Sequence, residues 1–335
     1  MKVAELKKTI GGYRSAQLRI LLVEMYKAMP KHVKEDHGID ELICNSASKL
    51  SKRTSDVVPN IEALVSETER FVGNAYNDYY YIPNPVVPKR ERSQWRFTVL
   101  RLFKNINHAA TKEANVARAA ELLEKLYVML CYSCRYTLFS AYDSFESVGV
   151  AQEDFFRAVL RHKRRYENPR DFVRNSIELA LKHELNRYTL YDDLLEAIVA
   201  FLDTPDLKQI AIATCDEMWS RASTHNASPR SASTSYEDRS LEYQRREFLQ
   251  NLARLGFLCR MALCEYEEAV EYFHKHYLGE EPEIALYVLL NMIDRHRQWD
   301  LWMKTYEQGI RSKIHPRSEL KTRYFEIQER ARASA

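Results

Sequence analysis

Residues 166–210 read YENPRDFVRNSIELALKHELNRYTLYDDLLEAIVAFLDTPDLKQI, a segment that contains three helix-start signals at short intervals. The signals are NPRDF, YTLYDD and TPDL, in which proline in the first turn or threonine before a carboxylate favours helix initiation. Only a few residues remain to connect the apolar segments between them, so neighbouring helices should pack as antiparallel hairpins. The predicted helices lie at about 151–165, 169–186, 189–202 and 205–223.

The composition of the whole chain favours helices over sheets. Its 335 residues include only eight glycines, and 29% of them are charged. Leucine, alanine, glutamate, lysine and arginine are abundant, and all five are good helix formers. We therefore predict an all-α protein, built as an elongated stack of antiparallel helical hairpins with a small N-terminal helical module.

Charge, hydropathy and cysteine usage restrict the compartment and the partners. Fifty basic residues stand against 47 acidic ones, a formal charge of +3, so no global field draws the chain to nucleic acid or to an anionic membrane. No segment reaches the roughly 18 apolar residues of a membrane span, and the N-terminus lacks a signal-peptide core. These features predict a cytoplasmic protein without a membrane partner. The six cysteines should be reduced and mostly buried: Cys44, Cys131, Cys134, Cys215, Cys259 and Cys264.

Composition shifts along the chain predict its domains. Residues 76–97, YNDYYYIPNPVVPKRERSQWRF, hold three prolines that forbid a helix and favour an extended path. A segment rich in serine, alanine and threonine at 225–235 should be mobile. The predicted parts are an N-terminal module at 1–75, an extended proline, aromatic and basic connector at 76–92, a central helical domain at 93–224, a flexible linker at 225–235, and helical hairpins at 236–335.

The N-terminal segment VAELKKTIGGYRSAQLRILLVEMY, residues 3–26, combines a VxxLK start with a loop and a leucine-rich helix. It resembles the first two helices of a SAP-type module, over residues 1–29. That resemblance implies contact with DNA or RNA.

The C-terminal part contains a weak internal repeat. CEYEEAVEYFHKHY aligns with RQWDLWMKTYEQGI at a constant offset of 33 residues. A period near 34 residues is typical of tetratricopeptide arrays, and the Tyr-x-x-Ala start followed by Phe four residues later resembles that family's second helix. The resemblance implies tetratricopeptide-like hairpins, an α-solenoid, that bind a partner protein on a concave face. Candidate interface aromatics are Tyr266, Tyr272, Trp299, Trp302 and Tyr306.

Two further segments, FFRAVLRHKRRYENPRDFVRNSIELALKHEL and NPVVPKRERSQWRF, are similar to an uncharacterised family of bacterial helical proteins. The resemblance implies an all-helical fold and a bacterial origin. It implies no activity.

Local basic clusters are the main candidates for binding chemistry. Three arginines of the helix at 151–165 fall at i, i+4 and i+7, and the helix has a basic C-terminal end. Such charge either forms a solvated face that partly complements the helix dipole, or contacts phosphate or an acidic partner. Within the connector, the basic tip is the part without a structural role, while its tyrosines pack along the helices or stack on bases. The candidate contacts are Lys89, Arg90, Arg92, Arg157, Arg161, Arg164 and Arg165.

Catalytic and metal-binding motifs are missing from the sequence. It contains no glycine-rich phosphate loop, dinucleotide fingerprint, Gly-x-Ser-x-Gly elbow or His-Glu-x-x-His, which predicts a non-catalytic protein without a cofactor. Cys131 and Cys134 have the spacing of a redox pair or half a zinc site, but they lie in an apolar helix without a second ligand pair. His274 and His276 point to different sides of their helix and cannot share an ion.

The acidic residues Asp192, Asp193 and Glu196 could bind a cation or act in proton transfer. The simpler interpretation is that Thr189 caps the helix and the acids complement its dipole. Taken together, the sequence favours a helical scaffold or adaptor that binds a partner protein through its C-terminal repeats. The alternative is a nucleic-acid-binding protein that uses the SAP-like N-terminus and the basic patches, and a helical enzyme with an unrecognised site is the third possibility.

Overall fold

The computed structural model describes residues 12–13, 15–36, 39–40, 58–224, 236–279 and 281–333, together with Glu5 and Thr9. Every regular element in these ranges is a helix, so the predicted all-α class is confirmed. The chain divides into two compact units, Met1–Val57 and Val58–Ala335.

The first unit contains helices α1 (Ser15–Ala28) and α2 (Lys31–Asp36). The leucine-rich helix predicted after the glycine pair is thus present. The VxxLK start of the SAP-like segment lies largely outside the described residues, and Cys44 lies outside them as well. Several large apolar side chains of α1 are exposed, among them Ile20 and Leu22.

The second unit begins with five helices: α3 (Ile61–Tyr76), α4 (Lys89–Arg92), α5 (Trp95–Ala109), α6 (Val116–Ser133) and α7 (Ser144–Val148). Helices α3, α5 and α6 pack against one another. The structure therefore places the division between units after Val57, earlier than the boundary predicted near residue 75. Apolar faces explain this packing, since α3 buries Leu64, Val65 and Phe71.

The next four helices are α8 (Gln152–Tyr166), α9 (Pro169–Leu181), α10 (Tyr191–Phe201) and α11 (Pro205–Thr224). The predicted start signals act at α9 and α11: Asn168 Oδ1 accepts from Asp171 N at 3.0 Å, and Thr204 Oγ1 accepts from Leu207 N at 3.3 Å. At α10 the predicted Thr189 cap is wrong. The carboxylate of Asp193 instead accepts the N–H of Leu190 at 2.8 Å.

The other two acids of α10 have arginine partners from later helices. Asp192 pairs with Arg254 and, at 3.3 Å, with Arg295, which also contacts Glu196 at 2.9 Å. These charges link helices that lie far apart in the sequence, which accounts for the acidic cluster without a bound cation.

The C-terminal helices are α12 (Tyr236–Ala262), α13 (Tyr266–His276), α14 (Pro282–Arg295), α15 (Trp299–Arg311) and α16 (Ser318–Ala333). The linker predicted at 225–235 lies outside the described residues. Helices α11 and α12, on either side of it, pack closely against each other. The two sides of that linker thus belong to one unit.

Gln152 is buried and connects three parts of the second unit through hydrogen bonds. Its fully buried Nε2 donates to Glu184 O at 3.0 Å and to Cys131 Sγ at 3.2 Å, and its Oε1 accepts from Asn186 N at 2.7 Å. A buried amide with donors and acceptors satisfied in this way fixes the start of α8 against α6 and the connection after α9.

The described cysteines are unpaired thiols, and all except Cys134 and Cys264 are buried. Burial raises the pKa of Cys131 well above its usual range and that of Cys134 to about 12. Since the thiolate is the reactive form, both thiols are unreactive near neutral pH.

His162 is a buried, neutral base in the core of the second unit. Its Nε2 lies 2.8 Å from Asn107 Oδ1 and so donates to it, while Nδ1 has no partner among the described residues. Burial, together with the charges of Arg165 and Arg161, lowers its pKa from 6.5 to about 4.

We expect His162 to make the fold acid-sensitive. Between about pH 6.5 and pH 4 the unfolded chain binds a proton at this position and the folded chain does not, so stability falls as the pH falls through that window. His162→Gln keeps a hydrogen-bond donor to Asn107. Between neutral pH and pH 5, the free energy of unfolding of this variant should fall by about 1–2 kcal/mol less than that of the wild type. Urea unfolding at both pH values measures the difference, with the exposed His315→Gln as the control. An unchanged acid loss in His162→Gln would contradict the assignment.

Candidate functional site

Residues 80–95 form a closed surface loop, which we call the basic loop. Its ends meet because Tyr80 and Trp95 both pack on the ring of Phe139, with centroid distances of 5.7 and 4.0 Å. This geometry corrects the predicted extended connector, because α3 and α5 on either side of the loop pack directly against each other. A compact loop with joined ends is a common carrier of binding residues.

Side-chain hydrogen bonds hold the basic loop in one conformation. The amide of Asn84 donates to Tyr79 O at 2.7 Å, and its Oδ1 accepts from Val87 N at 2.8 Å. Val87 is buried beneath the loop, and Arg92 Nε donates to its carbonyl at 3.1 Å. Arg92, a predicted binding residue, therefore has a structural role.

The other two predicted residues of the basic loop are available for contacts. Lys89 and Arg90 lie exposed on α4, and the only acidic neighbour recorded for Arg90 among the described residues is the exposed Glu91 at 3.9 Å. Exposed pairs of this kind contribute little and compete weakly with a ligand.

Most of the predicted basic face on α8 pairs with carboxylates of the protein itself. Arg157 pairs with Glu153 at 2.8 Å, Arg164 with Asp203 at 3.1 Å, and Arg165 with Glu113. Arg161 is exposed and lines, with Lys104, a cleft of about 440 Å³ between α5 and α8. The arginine pattern of α8 therefore reflects mainly ion pairs within the protein and does not mark a free phosphate-binding surface.

The predicted interface aromatics of the C-terminal helices are largely core residues. Tyr272, Trp302 and Tyr306 are buried, and Tyr266 and Trp299 are half-buried. The structure corrects the interface assignment for the three buried residues, because a ring inside the core offers no surface to a partner.

A cleft of about 960 Å³ opens between the end of α6, the end of α9 and the N-terminal half of α12. It lies at the meeting point of the predicted central and C-terminal parts. Its polar lining includes Arg135, Glu184, Tyr191 and Glu247, and its apolar lining includes Tyr136, Leu241 and Phe248. A concave site with a few polar groups among apolar ones is the usual form of a binding site.

Two polar contacts organise this cleft. Arg135 donates to Glu184 Oε1 at 2.7 Å, and the hydroxyl of Tyr191 donates to Glu247 Oε2 at 3.5 Å. Burial, with the nearby charge of Glu184, raises the pKa of Glu247 above its ordinary value. Burial also raises the pKa of Tyr191 and lowers that of His183, another lining residue.

All three shifts favour the neutral form of the side chain, and burial is the largest cause of each. The arrangement is therefore suited to binding a partly apolar ligand.

Exposed apolar side chains border the cleft. Leu241 is 65% exposed at its edge, and Tyr243 on the same helix is 66% exposed. Three half-exposed tyrosine rings lie in a row that begins at Tyr136. Tyr132 stacks on Tyr136 with a centroid distance of 4.4 Å, and Tyr76 contacts Tyr132 edge-on with a centroid distance of 5.4 Å. We call Tyr76, Tyr132 and Tyr136 the tyrosine row.

The chain matches no protein-family model, no curated protein and no solved structure.

None of the described helices combines the length and the apolar character needed to cross a membrane. Within the described ranges, no group of three or more potential ligands is arranged to hold a metal ion. His276, one of the predicted pair of divergent histidines, places Nδ1 3.0 Å from Tyr272 O in the core.

Sequence reasoning missed the residues of the cleft. Tyr191 and Glu247 are 56 positions apart, and no local pattern joins them. Leu241 carried a usable signal, since it is a large aliphatic residue within the otherwise polar start of α12. An apolar residue outside the core stripe of a helix is a candidate for contact with a partner.

Proposed function

We propose that this protein is a non-catalytic helical adaptor that binds a partner protein in the 960 Å³ cleft and along the tyrosine row. The observation that carries the proposal is the continuity of the two surfaces through Tyr136, which lines the cleft and ends the row. A compact small molecule would occupy the cleft alone. A polypeptide segment can fill the cleft and continue along the row.

The chemistry of the surface agrees with a protein partner. Tyrosine is enriched at protein interfaces because it combines a large apolar ring with a polar hydroxyl and has few rotatable bonds. Arg135 lies over the ring of Tyr136, at 5.8 Å, and adds a polar margin. Large apolar residues next to a cleft are the usual anchors of a bound peptide.

The helical framework of the adaptor is proposed to be a stack of antiparallel hairpins with a tetratricopeptide-like C-terminal part. Contacts between successive helices and between next-but-one helices support it, as in α8 with α9 and α10. Positions at the 33-residue offset also share their burial: Ala269 and Trp302 are both core residues, as are Phe273 and Tyr306. In this arrangement α12 supplies one wall of the cleft, and earlier helices supply the others.

The nucleic-acid alternative has less support from the second unit. Ion pairs engage Arg157, Arg164 and the exposed Arg165, so the exposed members of the predicted set outside these pairs are Lys89, Arg90 and Arg161. We therefore favour the partner protein.

A random-peptide phage library panned on the full-length protein tests the adaptor proposal. We expect an enriched family of peptides, one of which is then labelled with fluorescein. Its affinity, measured by fluorescence anisotropy, should fall by about tenfold or more in Leu241→Ser and in Tyr136→Ala, since each change removes an anchor.

Phe325→Ser is the matched control, because Phe325 is 60% exposed on α16 and is not part of the cleft or the row. It should bind the peptide like the wild type. Failure to enrich any peptide, or equal affinity in Leu241→Ser, Tyr136→Ala and Phe325→Ser, would count against the adaptor.

A further inference from the structure

The basic loop holds three large apolar side chains out toward solvent. Tyr81, Ile82 and Val86 are 53%, 51% and 53% exposed. The neighbouring Val87 is buried, so the loop has its own packed interior and the outward side chains are not part of it. Exposed apolar side chains grouped on one short segment mark a contact surface.

The same segment is basic. Three basic residues and one acidic residue lie between positions 80 and 95, and Arg96 follows directly after them. Lys89 and Arg90 are exposed on α4, and Arg96 is exposed at the start of α5. The chain as a whole is nearly neutral, with a formal charge of +3, so this local excess is a property of the segment.

We propose that the basic loop docks on an anionic lipid surface. Tyr81, Ile82 and Val86 enter the boundary between headgroups and acyl chains, and Lys89 and Arg90 contact the lipid phosphates. Apolar tips beside cations are the combination that such a surface binds, and cations near it add attraction that salt screens. The contact lies outside the cleft and does not depend on the adaptor function.

Lipid fits the loop better than nucleic acid does. Single-stranded nucleic acid binds basic surfaces whose aromatic rings stack on bases. Two of the three outward side chains, Ile82 and Val86, are aliphatic and have no ring to stack. The hydrocarbon of a lipid layer accepts aliphatic side chains as well as aromatic ones. A peripheral contact of this kind needs no membrane-spanning helix.

The basic loop is also held in one conformation before it binds. Asn84 fixes the turn through Val87 N at 2.8 Å and Ile82 O at 2.6 Å, and Pro83 and Pro85 restrict the backbone on either side. Little conformational freedom therefore remains to be lost on binding.

Cosedimentation of the full-length protein with lipid vesicles tests the proposal. One set is phosphatidylcholine with about one-third phosphatidylglycerol, and the other is phosphatidylcholine alone. We expect binding to the anionic vesicles only, weakening as salt rises. Ile82→Ser/Val86→Ser and Lys89→Gln/Arg90→Gln should each lower the partition coefficient by about tenfold or more.

Two matched controls keep the result specific. Phe325→Ser removes an equally exposed apolar side chain, and Lys275→Gln/Lys313→Gln removes two exposed charges elsewhere. Both should bind the anionic vesicles like the wild type, and all variants should melt at the wild-type temperature because every changed side chain is exposed.

The proposal is overturned if the wild type does not sediment with anionic vesicles, or if the loop variants and the controls sediment alike. Anisotropy with labelled single-stranded RNA is measured in parallel. RNA binding that depends on the loop, in the absence of vesicle binding, would also overturn the proposal and assign the loop to nucleic acid.

Discussion

Lys163→Met is expected to lower the free energy of unfolding by about 3–5 kcal/mol. The ammonium of Lys163 is 5% exposed and lies 2.8 Å from Glu124 Oε2 and 2.9 Å from Glu167 Oε1. Glu167 is itself buried, at 8% exposure. Removal of the lysine leaves a buried carboxylate without a cation, and that uncompensated charge is the source of the loss.

Lys163 is protonated and positively charged at neutral pH. Burial by itself lowers the pKa of this amine, but hydrogen bonds and charge from Glu124 and Glu167 raise it above its ordinary value overall. The lysine therefore contributes its full stability below the ordinary pKa of the amine and loses it only as the pH rises through the raised pKa, so urea unfolding at neutral pH measures the full effect.

Lys125→Met is the matched control for this experiment. Lys125 pairs with Glu69 at 2.8 Å, but both side chains are about half-exposed, so we expect a change of less than about 1 kcal/mol. Lys163→Met/Glu167→Met removes both charges of the buried pair and should recover part of the stability lost in Lys163→Met. Equal losses in Lys163→Met and Lys125→Met would show that burial of the pair is unimportant.

Gly256→Ala should destabilise the protein by about 2 kcal/mol or more through overpacking. A Cβ at this position of α12 would lie 2.3 Å from Cε1 and 2.6 Å from Oη of Tyr272. The ring is buried and cannot withdraw easily, since it packs on His276 at 4.2 Å and beneath Arg260 at 5.1 Å. The better helix propensity of alanine offsets only about 1 kcal/mol of this cost.

Other glycines provide controls for Gly256→Ala. At Gly73, in α3, an added Cβ meets nothing within 4 Å, so Gly73→Ala should stabilise by about 0.5–1 kcal/mol. In Gly309→Ala the added Cβ would lie 2.6 Å from the flexible end of the Leu286 side chain. Its effect on stability should lie between those of Gly256→Ala and Gly73→Ala. Thermal and urea unfolding of the three variants give the order.

A second change tests whether the ring is the cause. Tyr272→Leu shortens the side chain opposite Gly256, so Gly256→Ala should cost less in the Tyr272→Leu background than in the wild type. If Gly256→Ala cost the same in both backgrounds, or behaved like Gly73→Ala, the close contact would not control stability at this position.

Helix starts were predictable because their causes lie within one turn. The segments NPRDF and TPDL start helices as predicted, with Asn168 and Thr204 as the capping residues. The Thr189 cap failed because α10 begins one residue later than expected, with Leu190 at the N-cap position and the carboxylate of Asp193 accepting the N–H of Leu190. Which of two adjacent residues takes the N-cap position is hard to rank from the residue types alone.

Predictions about surfaces were less successful than predictions about helices. Periodic aromatic residues mark one face of a helix, but a face that contacts the core has the same pattern as a face that contacts a partner. Trp302 and Tyr306 belong to the first kind. The arginines of α8 posed the same difficulty, because the carboxylate partner of Arg164 is Asp203, 39 positions away.

The all-α class, many of the helix positions and the burial of most thiols were predictable from the sequence, because they follow from composition and from contacts within a few residues. Closure of the loop at 80–95 on Phe139 and the contact of Tyr191 with Glu247 in a cleft became visible only in the folded chain. Burial and ion pairing depend on side chains brought together from distant positions. A pattern within one helix does not identify the partner that will cover it.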